Sequence, residues 1–253
     1  MAKTHGSAGE NAFSKSGEQQ ETLLATIVLI GLLATFACGT LLGLSISRKT
    51  FLGWIALAGM LVLGGIFIWL KRKIDAWVDK ELREVRYWRR GAEGEKVVAE
   101  ILETQLSDEY HVFHDVRFPG RKSNIDHIVV GPSGVFILNT KNWRGTVGWN
   151  ADGKTLIWNG EPDKWNSAKG VMGDALDVHD KLRALLNRDV FVRAILVFPL
   201  AKVQPKLDTP VELQQDDYLV SKRLKYIDKR HALSEKEVVE IVNALLALFR
   251  KSV

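Results

Sequence analysis

The chain has 253 residues, a net charge of +5 and a pI near 9.2, which leaves room for one folded domain and a smaller segment. Its only cysteine, Cys38, excludes an internal disulfide and a cysteine-based zinc site. The modest positive balance allows an anionic partner, nucleic acid or lipid, without requiring one.

Residues 1–21 are polar, rich in Gly, Ser, Lys and Glu, and carry no apolar period; they read as a disordered tail. Residues 23–46 and 51–70 are two apolar runs free of charge, each long enough to cross a bilayer. The link between them is short and holds Arg48 and Lys49, so 22–72 is expected to form two transmembrane helices in a hairpin. Glycines such as Gly31, Gly43, Gly59 and Gly64 recur through both runs, which suits membrane helices better than a buried soluble hairpin. A cleaved signal peptide fits poorly, because the leader is long and the first run exceeds an ordinary signal core. After residue 70 the chain reads KRKIDAWVDKELREVRYWRR. That basic flank places both the N-terminus and the C-terminal domain in the cytoplasm, at an inner or plasma membrane. Trp54 and Trp69 lie near the ends of the second run, as interfacial anchors do.

Residues 73–90 are expected to be a basic juxtamembrane helix, with Ile74, Trp77, Val78, Leu82, Val85 and Trp88 at helical spacing. It either lies on anionic lipid, making 22–90 the lipid-contacting part, or is a plain linker helix, since Asp75, Asp79, Glu81 and Glu84 dilute its basic face.

A folded domain is expected over 91–200, followed by a C-terminal extension over 201–253 that ends in a helix. GAEGEKVVAEILETQL reads as a helix with Val98, Ile101, Leu102 and Leu106 inward and Glu95 at the border of that face. Residues 110–118 read as a strand. NIDHIVVGPSGVFILNTKNWRG is two β-branched runs around a four-residue Gly131-Pro132-Ser133-Gly134 connection. If Val130 pairs with Val135, Asp126 lies opposite Asn139, and Lys141 shares their face. Residues 146–160, with Asp152-Gly153 between Trp149 and Trp158, read as a small second hairpin. Residues 167–187 fit a helix carrying Leu176, Leu182, Leu185 and Leu186. Residues 191–198 form a short apolar run, as expected of a buried strand. A late strand follows within 211–220. Ser234 and Glu237 make a capping box for a last helix with Val238, Ile241, Val242, Leu245 and Phe249 inward. This order gives a three-layer α/β domain around a mixed sheet.

An acid, an amide and a lysine on one face have the layout of a metal-dependent phosphodiesterase site. Hard divalent cations need convergent oxygen ligands, and a nearby lysine can stabilise charge on a phosphate or orient a water. The residue types alone also allow structural roles: Asp126 satisfying backbone donors, Asn139 a buried amide, Lys141 an exposed strand end. His127 faces the other way and reads as a core histidine. Trp143, Trp149, Trp158 and Trp165 read as packing residues rather than base-stacking platforms. Arg121, Lys122, Arg144 and Lys154 are expected around the hairpin mouths, where they either contact phosphate or keep the surface soluble.

Taken together, Gly91-Ala92-Glu93-Gly94-Glu95, Ile125-Asp126-His127, the run from Val130 to Phe136 and Thr140-Lys141-Asn142 resemble the NERD (nuclease-related domain) family of the PD-(D/E)xK superfamily. The resemblance covers about residues 91–198. It implies a restriction-endonuclease-like core: helix, three antiparallel strands, crossover helix, fourth strand. It also implies that Asp126 is a metal ligand, Lys141 the catalytic lysine and Glu95 a supporting acid, with Mg²⁺ or Mn²⁺ as cofactor. Two departures stand out. The family's usual acid is Asn139 here, which can coordinate through oxygen but brings no charge. The crossover helix lacks the glutamine some members carry, with Asp174 as a possible substitute. The expectation is a membrane-anchored, cytoplasm-facing nuclease-like protein acting on DNA or RNA; the alternative is a degenerate nucleic-acid or protein-binding module at the membrane.

Overall fold

The computed structural model describes residues 1–6, a few positions between 21 and 31, and 51–250 apart from 119–122, 205, 207–208 and 216–218. The chain forms two compact units, Met1–Asn11 with Arg90–Val253, and Ala12–Arg89.

In the second unit the described structure is dominated by helix α1, which runs Phe51–Gln105 and passes out of that unit. Among the described residues no helix is long and apolar enough to cross a membrane. The first expected span, 23–46, falls largely outside the described residues, as do nearly all side chains of the second, 51–70. Beyond it, exposed i,i+4 ion pairs lie along α1, Lys71–Asp75 at 3.3 Å and Lys80–Glu84 at 4.0 Å.

The first unit is a mixed α/β structure whose sheet is consistent with a nuclease-like core. Strands β2 (His111–Val116), β3 (Ile125–Gly131) and β4 (Gly134–Thr140) form an antiparallel meander. Two small hairpin strands and a short edge follow, β5 (Gly145–Trp149), β6 (Leu156–Trp158) and β7 (Glu161–Pro162). Helix α2 (Ser167–Leu186) then crosses over to β8 (Val192–Phe198), which pairs parallel with β4. Such a parallel return needs a long connection, and the helix supplies it.

Two features enlarge this core. Residues 3–5, expected within a disordered tail, instead form β1 (Lys3–His5), parallel to β2. An alternating polar tripeptide has no apolar signal, and pairing with an open sheet edge orders it. The stretch after residue 200 is also woven into the unit. β9 (Ala201–Val203) joins the small sheet and β10 (Glu212–Gln215) pairs parallel with β8, giving orders β1-β2-β3-β4-β8-β10 and β7-β6-β5-β9. Helix α3 (Glu235–Arg250) packs Val238, Ile241, Val242 and Leu245 into the main core. Its capping box is formed: Ser234 N–H donates to Glu237 Oε2 at 2.8 Å and Glu237 N–H to Ser234 Oγ at 3.4 Å.

Strand alternation sends the two faces to different helices. Ile128, Val130, Val135 and Ile137 face α2 and α3. Val129, Phe136 and Leu138 face α1 through Val98, Leu102 and Leu106. On α2 the inward stripe is Val171, Asp174, Ala175, Val178 and Leu182, whereas Leu176 and Leu185 are exposed.

The β3–β4 turn is tighter than the four residues expected, because Gly131 pairs with Gly134 and only Pro132 and Ser133 lie between. The turn is held from outside. Leu233 N–H donates to Pro132 O at 3.0 Å, and Ser133 Oγ donates to Leu224 O. Tyr110 lies flat against Gly131, where an added Cβ would come within 2.2 Å of its ring.

Candidate functional site

The register at β3 and β4 builds the site. Val130 pairs with Val135, and the ladder continues to His127 opposite Leu138. One further step brings Asp126 beside Asn139 on the α2 face, and Lys141 follows two residues on. Lys141 N–H donates to Val197 O at 2.8 Å, which keeps the end of β4 anchored to β8. Where the apolar side chains of this face run out, a cleft of about 610 Å³ opens between β4 and α2, lined by Asn139, Lys141, Asp174 and Asp177 among others.

Asp126 is not among the residues that line this cleft, but it feels the charge of two that are, Lys141 and Asp174. Its Oδ2 accepts the Thr140 N–H at 2.6 Å. The side chain is only partly open to solvent. Burial pushes its pKa up to about 6, against the pull of Lys141 and the Thr140 N–H and with the help of Asp174 and Asp115. A carboxylate so destabilised would gain from a nearby cation. Asn139 adds a second sign: its Oδ1 is buried and has no hydrogen-bond partner. An acidic oxygen short of positive charge beside an unpartnered amide oxygen fits a hard divalent ion. Among the described residues no three His, Cys or acidic side chains form a metal-binding group.

Glu95 is placed differently. Asn142 Nδ2 donates to Arg90 O at 2.7 Å, and an added Cβ on Gly94 would lie 2.9 Å from Asn142 Cβ. This close approach ties the start of the domain's helix to the residue after Lys141. Glu95, one residue on, is half-buried in the α1 layer and does not line the cleft.

Of the expected basic group, only Arg144 and Lys154 lie among the described residues. Arg121 and Lys122 lie outside the described residues. Arg144, at the start of β5, uses its carbonyl to accept from Trp158 Nε1 at 2.8 Å. Lys154 sits in the turn at the other end of that hairpin, where its N–H donates to Asp152 Oδ1 at 2.8 Å. A strand of this length separates them by roughly 15 Å.

Asp174 and Asp177 come from α2. Asp174 falls on the helix's inward stripe, three residues after Val171, and an acid at an apolar helical period is a signal the sequence does carry.

Behind the site, His127 is fully buried on the α1 face with its Nδ1 2.8 Å from His114 Nδ1. His114 Nε2 lies 3.2 Å from Glu103 Oε1, near enough for a polar contact but without hydrogen-bond alignment. On its other side His127 Nε2 lies 3.5 Å from the Thr140 hydroxyl. Burial lowers the pKa of both rings, against the pull of Glu103 on His114. Thr140 links this chain of contacts to Asp126.

Comparison with known proteins gives a match to a domain model and a partial relative. An uncharacterized protein of Bacillus anthracis is 37% identical over 68 residues, which cover 26% of this chain and 32% of that protein. The chain thus spans about a third of the length of the curated relative it matches. No solved structure matches. Residues 90–199 match the family model described as the nuclease-related domain (NERD).

Proposed function

We propose that this protein is a metal-dependent nuclease whose catalytic module is the nuclease-related domain, tethered at a membrane with that domain in the cytoplasm. The observation that carries the reading is the cleft shared by Asn139, Lys141 and Asp174, with Asp126 within electrostatic reach of the last two. Asp126 and Asn139 would hold Mg²⁺ or Mn²⁺, with Asp174 close enough to add charge. Bound there, the ion would polarise a phosphoryl oxygen and lower the pKa of a water. Lys141 would stabilise charge on the phosphate. Glu95 would act as a supporting acid from the neighbouring layer, on the helix that Gly94 packs against Asn142. The proposed anchor and its orientation are supported by the uncharged runs at 23–46 and 51–70 and the basic flank after them.

One observation favours a second reading. With Asn139 in place of an acid, the site has a neutral ligand where charge would raise metal affinity, and a module that only binds nucleic acid or a protein would tolerate that loss. Cleavage separates the two. Full-length protein purified in mild detergent is incubated with plasmid and oligonucleotide in Mg²⁺ and in Mn²⁺. The nuclease reading expects cleavage that is lost in Asp126→Ala and in Lys141→Ala. Cleavage that survives both substitutions, or no cleavage under either metal, refutes it.

A further inference from the structure

The cleft has a second half, beyond the acid, amide and lysine. It is bordered by Trp165, Lys169, Gly170 and Gly173. Sequence reading takes Trp165 for a packing residue, yet 58% of it is exposed. It is not loose. Asp163 accepts the Trp165 N–H at 3.0 Å and the Ser167 N–H at 2.6 Å, which fixes the turn that presents the indole. Behind it stands an aromatic stack. Trp143 and Trp158 lie 4.7 Å apart at 22°, and Trp165 leans on them at 5.8 and 5.9 Å. Trp143 in turn rests on the core residue Phe198 at 5.6 Å. A rigid indole, backed by other rings and open on the cleft side, is a prepared stacking surface.

The floor beside it is bare backbone. An added Cβ on Gly170 or Gly173 would meet nothing within 4 Å, so packing does not demand glycine there. Glycine is also a poor helix former, and two of them on the cleft side of α2 weaken the helix without structural return. They leave a trough through which a chain can pass close to the helix. Lys169 is exposed at this trough. Asp177 at its far end is already paired with Lys181.

We infer that this half of the cleft is a track for an unpaired nucleic-acid strand, with a base stacked on Trp165 and its backbone running over Gly170 and Gly173 toward Lys141. The inference rests on the nuclease reading above and narrows its substrate to single strands. The physical reason is that a base must expose its face to stack on an indole, and a duplex hides that face against neighbouring pairs.

The test is binding of fluorescein-labelled dT15 and of a 15-base-pair duplex to full-length protein, followed by anisotropy in EDTA so that no cutting intervenes. Trp165→Ala should weaken dT15 binding roughly 5- to 150-fold, Trp165→Phe should retain most of it, and neither should change duplex binding as much. Gly170→Leu should weaken dT15 binding while the melting temperature holds or rises, a pairing that a structural role for this glycine would not produce. The inference is overturned if wild type does not bind dT15, if Trp165→Ala binds it as tightly as wild type, or if single-strand and duplex binding fall equally. Trp165-dependent binding without cleavage in Mg²⁺ or Mn²⁺ would sink the nuclease reading and leave the track standing. Cleavage indifferent to Trp165 and Gly170 would do the reverse.

Discussion

Replacing Asp126 with asparagine should make the metal-free protein more stable at pH 8, and by an amount the structure sets. The carboxyl's pKa rises from 3.8 to about 6 on folding because burial penalises the charged form. At about 1.4 kcal/mol per pH unit, the ionised group costs the fold about 3 kcal/mol. The sign follows from proton counting: the folded state holds this proton more tightly, so the group's contribution falls as pH rises from about 4 to about 6 and stays low above that. The amide introduced by Asp126→Asn would keep an oxygen to accept the Thr140 N–H now bonded at 2.6 Å, and it has no charge to desolvate. The variant should therefore match wild type near pH 4 and exceed it at pH 8. For a unit of this size that is a rise of about 6–12 °C in melting temperature. Thermal melts of both proteins in EDTA across this range measure it, since other titrating groups cancel in the difference. Added Mn²⁺ should raise the wild-type melting temperature at pH 8 and leave the variant unmoved. An offset that is the same at both pH values, or a wild type more stable at pH 8, would refute the argument.

Asn139→Asp should lower the metal-free melting temperature at pH 8 through repulsion with Asp126; under the nuclease reading it should also tighten Mn²⁺ binding by calorimetry and speed cleavage. Gly131→Ala forces a methyl into the Tyr110 ring at 2.2 Å and should cost about 1–3 kcal/mol in urea unfolding; a loss under about 0.5 kcal/mol would mean the turn and ring move apart freely. A reporter fused after Val253 should behave as cytoplasmic and one inserted at Lys49 as external; the opposite pattern overturns the proposed orientation.

Much of the site is legible because hairpin register is local arithmetic. Once Val130 meets Val135, the positions of Asp126, Asn139 and Lys141 relative to one face follow from a period of two. The order of the core elements is legible for a similar reason, since each has its own periodicity. What escaped lies in pairings between distant segments. Lys3–His5 has no strand signal of its own and is ordered by the edge of β2. The Pro132-Ser133 turn is shortened by contacts with residues 224 and 233. Trp165 looks like any other tryptophan in a Trp-rich stretch until the Asp163 turn and the stack behind it fix which way it faces.

The two faces of β3 and β4 meet at Thr140, and this bears on how the site keeps its charge. On one side its backbone N–H is committed to Asp126. On the other its hydroxyl ends the chain from Glu103 through His114 and His127. Burial lowers the pKa of both histidines, which disfavours a positive charge on them behind Asp126. The groups left to balance that carboxylate are Lys141 and whatever cation enters from the α2 side. Asp174 adds a further negative charge there. Under the proposed reading, a neutral asparagine at position 139 would relieve a site already heavy in acid when empty, at the expense of affinity when filled. On the same reading, the charge at 139, rather than the fold around it, is the variable that would separate a binding module from a nuclease.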